Sequence, residues 1–215
     1  MIEHIEMPGA REPHEHSVQY HHKVHGLSDR VAYAFVAFAA FFADLFFAGR
    51  YGSRAVVLET IAAVPGMVGG LLQHLKALRW FRDDHGWIKT LLDEAENERM
   101  HLMIFVHVTK PTLLERILVM VVQLIFYNVY FLIYLFSSRT AHRIVGYLEE
   151  KAVQSYTEYL AEVEANPKKN IPAPELAIKY WMMDKDARLS DVIKCVREDE
   201  MHHRDMNHQF SNSLR

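Results

Sequence analysis

The chain has 215 residues, half of them hydrophobic, and its formal net charge is −3. A chain of this length forms one domain with a sizeable core and leaves little room for a second domain. The sequence contains no dense block of lysine and arginine, so a nucleic-acid partner is not expected. The single cysteine, Cys195, excludes an internal disulfide framework and a cysteine-rich metal site.

The N-terminal stretch is rich in histidine, and residues 1–26 hold six of the fourteen histidines. No spacing repeats among them, so we interpret residues 1–28 as a flexible arm rather than a metal-binding tail. The stretch lacks an apolar signal-peptide core, and its acidic residues do not fit a transit peptide. Residues 29–211 are expected to form a single helical domain.

Two long apolar runs follow, at residues 31–49 and 117–136, and membrane-facing helices are expected at about 30–50 and 112–137. Each run approaches the roughly 20 residues that cross a bilayer. However, Asp44 interrupts the first run, and basic residues flank both ends of both runs. We therefore favour two helices that lie in the membrane interface, with transmembrane crossing as the alternative.

Four further helical segments are expected, at about residues 53–82, 86–108, 139–165 and 188–211. Between the last two, the stretch EANPKKNIPAPELA holds three prolines and is the clearest linker in the chain. These segments carry all the candidate metal ligands described below. The sequence therefore predicts an all-α fold.

A pattern typical of metal sites occurs twice. Glu98 and His101 are three residues apart on one predicted helix, and Glu200 and His203 repeat this spacing on the last helix. The spacing places both side chains of each pair on one helix face, one turn apart. Glu59 and Glu149 add one carboxylate each from apolar surroundings on the other two helices.

The count of four carboxylates and two imidazoles matches the ligand set of ferritin-like di-metal bundles. Anionic oxygen ligands neutralise two neighbouring metal ions and leave positions open for oxygen. Oxygen and nitrogen ligands without thiolate favour iron, and manganese remains open. We predict a ferritin-like four-helix bundle that holds two iron ions, with the two long apolar helices forming a monotopic membrane-binding surface.

Three residues near these ligands have two interpretations each. Tyr156, two turns after Glu149, is either an electron or hydrogen-atom donor or a core aromatic residue. His142, two turns before Glu149, and Asp199, next to Glu200, either orient ligands and relay protons or are ordinary surface groups.

The motifs LET (58–60), NERMHL (97–102), LEEKA (148–152) and REDEMHHRDMNH (197–208) resemble the alternative oxidases, the cyanide-resistant, non-haem di-iron quinol oxidases. The resemblance covers about residues 30–210. It implies oxidation of ubiquinol or a related quinol and reduction of O2 to water without proton pumping. It also implies a homodimer held in one leaflet of membrane lipid by two helices.

The resemblance assigns roles to individual residues. It implies that the irons are held by Glu59, Glu98, Glu149 and Glu200, with His101 and His203 as ligands or close partners. It makes Tyr156 the redox tyrosine, Trp181 a functionally sensitive tryptophan, and Asn97, His142 and Asp199 a surrounding hydrogen-bond network. The quinol pocket would include Arg54, Leu58, Lys151 and Ser155. The family usually reads LEEEA where this chain has LEEKA, so Lys151 replaces an expected carboxylate.

Alternatives remain for function and location. The same ligand set would serve a di-iron hydroxylase of a quinone precursor or a plastid-type quinol oxidase, whereas a metal-free helical membrane module is the alternative outside enzymes. A ferritin-like iron store is disfavoured because it has no use for the long apolar runs. We favour the cytoplasmic face of a bacterial inner membrane, with the matrix face of the mitochondrial inner membrane as second choice.

Overall fold

The computed structural model describes residues 17–47 and 49–214. Within these ranges there are seven helices and no strand beyond one isolated bridge between Pro172 and Arg188. The helices are α1 Gly26–Phe47, α2 Tyr51–Trp80, α3 Trp87–Thr109, α4 Leu113–Phe136, α5 Ser138–Ala165, α6 Glu175–Tyr180 and α7 Leu189–Ser213. The prediction of an all-α fold is confirmed.

The bundle consists of α2, α3, α5 and α7, in which α2 packs on α3 and α5 packs on α7. Its four helices overlap the four segments expected from the sequence and differ from them by a few residues at the ends. The remaining long helices lie outside it, with α1 against α5 and α4 mainly against α2. The site residues predicted as ligands all belong to the bundle helices.

Small residues allow the ligand-bearing helices to approach one another closely. A Cβ atom on Gly66 of α2 would clash with the carbonyl oxygen of Leu91 on α3, and one on Gly146 of α5 would clash with the His208 ring on α7. Pro65 precedes Gly66 inside α2 and is buried with it. The close packing sets the short distances across which ligands on different helices meet.

The two predicted membrane helices expose most of their apolar side chains. By length and composition α1 and α4 are each able to cross a membrane, as is α2, yet only 17% of the apolar windows of α1 and α4 is buried, against 56% for α2. A hydrogen-bonded ion pair between Asp29 and Arg143, 2.9 Å long and fully buried, fixes α1 to α5. The exposed apolar residues include Phe38, Phe41, Phe42, Leu45, Met120, Leu124, Ile125 and Leu132.

The predicted N-terminal arm lies partly outside the described residues, which begin at Ser17. Its described part contacts the bundle, since the backbone N–H of His22 donates to Glu150 Oε1 at 2.8 Å and its ring stacks on His208 at 4.6 Å. Helix α1 begins at Gly26. The division of the chain between residues 28 and 29 stays a prediction.

Candidate metal centre

The six predicted ligand residues converge at the centre of the bundle, and none is more than 5% exposed. Each bundle helix turns one ligand face inward, so that four helices surround one polar cluster within an apolar core. The contributions are Glu59 from α2, Glu98 and His101 from α3, Glu149 from α5, and Glu200 and His203 from α7.

One half of the cluster is built around His101. Its Nδ1 lies 3.3 Å from Glu59 Oε2, 3.3 Å from Glu200 Oε1 and 3.7 Å from Glu98 Oε2. One potential ligand atom from each of these four residues falls within 4.8 Å of the others. Three helices thus contribute to a pocket of the size that one metal ion needs.

The second half is built around His203. Its Nδ1 lies 2.7 Å from Glu98 Oε1 and 3.7 Å from Glu200 Oε2. The Glu149 carboxyl lies close to Glu200, whose charge acts on it. Glu98 and Glu200 therefore each lie between the two imidazoles, where each could contribute to holding metal ions.

The residues fit metal ions by a further criterion. A buried polar atom without a partner is costly, and native proteins contain few of them. Six such atoms gather in this cluster, and all are oxygen or nitrogen atoms of the kind that ligate iron or manganese. They are Glu59 Oε2, Glu98 Oε1 and Oε2, His101 Nδ1, Glu200 Oε2 and His203 Nδ1.

The carboxylates repel one another in the absence of cations. Burial raises the pKa of Glu59 and of Glu149 well above the ordinary value, and the charges of Glu200 and Glu98 raise it further. Burial also opposes the charge on Glu98, but the adjacent imidazoles of His101 and His203 outweigh it and hold the pKa of Glu98 below its usual range. Bound cations would relieve this repulsion.

The comparison with known proteins agrees with this geometry. The family model described as "Alternative oxidase" matches residues 10–212, almost the whole chain. The chain belongs to the alternative oxidase family. The resemblance inferred from the four motifs is confirmed.

Several relatives carry the name ubiquinol oxidase. Ubiquinol oxidase 2, mitochondrial, from Glycine max is 57% identical over 188 residues, which are 87% of this chain and 56% of the relative. A mitochondrial ubiquinol oxidase from Batrachochytrium dendrobatidis is 57% identical over 188 residues, which are 87% of the chain and 60% of the relative. Ubiquinol oxidase 2, mitochondrial, from Arabidopsis thaliana is 53% identical over 195 residues, which are 91% of this chain and 55% of the relative. The chain spans less than two thirds of the length of each of these relatives.

All three relatives are mitochondrial by name. The preference for a bacterial inner membrane is therefore not borne out. The sequence could not decide between the two locations, because both membranes present the same apolar surface to helices such as α1 and α4.

A network of hydrogen bonds holds the His101 ring in place. Asp199 Oδ2 contacts His101 Nε2, Asn97 Nδ2 and Trp181 Nε1, each at 3.1 Å. Since the carboxylate accepts, His101 carries a proton on Nε2, and Nδ1 is the ring nitrogen that faces the glutamates. Of the predicted hydrogen-bond network, Asn97 and Asp199 are thus brought together, and Trp181, predicted as a functionally sensitive tryptophan, joins them.

Tyr156 lies beside the cluster, and its hydroxyl donates a hydrogen bond to Glu59 Oε1. The ring is 1% exposed and stacks on Phe105 at 5.5 Å. Burial raises the pKa of Tyr156 well above 10, and the Glu59 charge adds to the effect. The phenol therefore keeps its proton at the edge of the ligand set.

His142 lies away from the ligands, although it shares their face of α5. Its Nδ1 lies 3.0 Å from Asn207 Oδ1, and its Nε2 lies 3.1 Å from the hydroxyl of Tyr134. Burial lowers the pKa of His142 to about 4, while Asn207 partly opposes this change. The imidazole is therefore neutral at pH 7.

We expect His142 to make acid pH destabilising. A pKa of about 4 in the folded state, against 6.5 for the unfolded chain, means that its stabilising effect is complete above pH 6.5 and is lost as the pH falls toward 4. The difference in free energy of unfolding between the wild type and His142→Gln should shrink by about 3 kcal/mol between pH 7 and pH 4. Urea unfolding at several pH values measures this, with the exposed His74→Gln as control. A difference that is constant with pH would contradict it.

Sequence reasoning missed Glu94, a carboxylate of α3 that is 4% exposed. Both of its oxygens accept hydrogen bonds from Asn207 Nδ2, at 3.0 and 2.9 Å. Burial raises the pKa of Glu94 to about 7. A signal was present, because Glu94, Glu98 and His101 follow the i, i+4, i+7 spacing of one helix face.

A cavity of about 640 Å³ leads from the exposed apolar helices to the cluster. Three predicted quinol-pocket residues, Arg54, Leu58 and Lys151, line it together with side chains of α1 and α4. Glu59, Glu149 and Glu200 line it as well. Ser155 is buried on α5 but is not among the lining residues, so its predicted role in the pocket has no support from the cavity.

Proposed function

We propose that the chain oxidises ubiquinol, or a related quinol, and reduces O2 to water at a centre of two iron ions, without pumping protons. The observation that carries this proposal is the cluster of unpartnered glutamate and histidine atoms next to a large apolar cavity. The names of the relatives support the substrate. Two quinols supply the four electrons and four protons that one O2 requires to become two waters.

The six converging residues would hold the irons, which when bound supply the redox chemistry that O2 reduction requires. Glu98 and Glu200 are suited to a position between the two ions, because each faces both imidazoles. Asp199 orients His101 through the Nε2 contact. The Tyr156 hydroxyl donates a hydrogen bond to Glu59 Oε1. In this position Tyr156 would act as the redox tyrosine.

The quinol headgroup would bind at the polar end of the cavity. Arg54 Nε is buried without a hydrogen-bond partner, although its Nη1 pairs with Asp44 at 2.6 Å. Lys151 adds a second cation to the cavity lining. Both groups donate hydrogen bonds, so they suit the oxygen atoms of a quinol ring, while the apolar walls suit its isoprenoid tail.

The exposed faces of α1 and α4 would lie in one leaflet of the membrane, where their apolar side chains are removed from water. We place this surface at the matrix face of the mitochondrial inner membrane; the names of the relatives support a mitochondrial location. Exposed apolar residues on α2 and α3, among them Leu71, Leu75 and Leu92, support a homodimer in which a second copy covers them.

We expect a double substitution on this surface to release the protein from membranes. Phe38 and Leu124 are 66% and 65% exposed, and replacing both by aspartate removes two side chains from the lipid. Affinity for vesicles should fall about 100-fold or more. Vesicle flotation measures it, with Met182→Asp, 91% exposed and outside α1 and α4, as control. Undiminished flotation of the double variant would favour helices that cross the bilayer.

The product of the reaction tests the proposed function. Purified protein reconstituted with iron and lipid should consume one O2 for every two ubiquinols and release no hydrogen peroxide. A hydroxylase would instead place an oxygen atom in its organic substrate, which mass spectrometry with isotopically labelled O2 detects. Labelled oxygen in the quinone product, rather than in water, would overturn the oxidase proposal.

A further inference from the structure

Glu94 is a buried carboxylate with no part in the proposed ligand set. It lies on α3 one turn before Glu98, and its electrostatic neighbours include His203, Glu98 and Glu200. Its charge also acts on Glu149. Its hydrogen bonds go to Asn207, and no ligand residue in the described part of the chain bonds to it. Glu94 therefore faces the centre without belonging to the group of converging ligand atoms.

A chain of hydrogen bonds points at Glu94 from the other helices. Asn207 Nδ2 donates to both Glu94 oxygens and to the carbonyl oxygen of His203, so Asn207 Oδ1 must be an acceptor. His142 then donates to Asn207 from Nδ1 and accepts from Tyr134 at Nε2. Gln73 donates in turn to the Tyr134 hydroxyl at 3.2 Å.

Every donor in this series of hydrogen bonds is directed toward the Glu94 carboxylate. Because the direction of each bond is set by its partners, this hydrogen-bond network stabilises negative charge on Glu94 and offers no acceptor for the proton of a neutral carboxyl group. It also connects α2, α4, α5 and α7 with α3, so the charge is held on the rigid part of the bundle.

We propose that Glu94 is a fifth carboxylate of this centre, held by Asn207 outside the ligand set, where its negative charge strengthens the binding of metal ions. This inference rests on the proposed di-iron function. Without cations, Glu94 adds one like charge to a crowded group of carboxylates, which destabilises the fold. With cations bound, the same charge is attractive.

Glu94→Gln tests the proposal because it keeps the shape of the side chain and removes its charge. At pH 8 the metal-free variant should unfold at the same temperature as the wild type or higher. Its affinity for Co²⁺, titrated alone into metal-free protein, should be about 10- to 100-fold lower, the usual range for residues behind metal ligands. Glu94→Asp keeps the charge and should retain more of the affinity.

The two readouts separate charge from structure. A purely structural role would lower the unfolding temperature together with the affinity, and wild-type affinity in Glu94→Gln would also overturn the proposal. Glu96 lies two residues after Glu94 on α3, is exposed, and pairs with Arg99, so Glu96→Gln should change neither quantity. If the wild type itself bound no Co²⁺, the proposed metal centre would fail and not this inference alone.

Discussion

Replacing Glu98 by alanine should remove the metal from the protein and abolish its activity. Glu98 contacts both imidazoles, with Oε2 3.7 Å from His101 Nδ1 and Oε1 2.7 Å from His203 Nδ1. It is fully buried, and neither oxygen has a hydrogen-bond partner. A carboxylate between two metal sites contributes to both, so its loss should take the iron content from about two per chain to background.

Iron content by elemental analysis and oxygen uptake with quinol measure this effect. Glu96→Ala is the matched control, because Glu96 lies two residues away on α3, exposed to solvent and paired with Arg99 at 2.6 Å. Circular dichroism should show that both variants keep their helices. A Glu98→Ala protein that still bound about two irons per chain would remove this residue from the ligand set.

Replacing Tyr156 by phenylalanine should leave the metal in place and stop turnover. The substitution removes the hydroxyl that donates to Glu59 Oε1 but keeps the ring that stacks on Phe105. Since no ligand atom is lost, iron content should be unchanged. If the phenol supplies a proton or hydrogen atom, kcat should fall about 100-fold or more, with little change in KM for the quinol.

Tyr159→Phe is the matched control for this prediction. Tyr159 is a buried tyrosine of the same helix, but its ring stacks on Tyr51, and its hydroxyl makes no contact with the proposed ligands. Its removal should leave kcat close to that of the wild type. Full quinol oxidase rates in Tyr156→Phe would exclude the tyrosine from the mechanism and leave it as a core residue.

The ligand helices could be predicted because their signals are local. Glu98 with His101 and Glu200 with His203 repeat at helical spacing, and α helices place such pairs on one face whatever surrounds them. The membrane-facing helices α1 and α4 could also be predicted, because each is a long apolar run in the sequence. Their many exposed apolar side chains require lipid or a protein partner to cover them.

Other features depend on packing between distant segments and were not predictable. His142 shares a face with Glu149, but two helical turns are about 10 Å, so it meets Asn207 and Tyr134 instead of the ligands. The cavity arises where α1 and α4 lie over α2 and α5, which no single segment encodes. Glu94 was missed because a lone glutamate on a charged stretch of sequence is usually a surface residue.

The most direct test of the account is oxygen uptake by membranes that contain the expressed protein, driven by a soluble quinol in the presence of cyanide. A carboxylate-bound di-iron centre should sustain uptake that cyanide does not inhibit, and Glu98→Ala membranes should show none above background. Cyanide-sensitive uptake, or equal uptake in wild-type and Glu98→Ala membranes, would contradict the claim that these glutamates and histidines form a quinol oxidase centre.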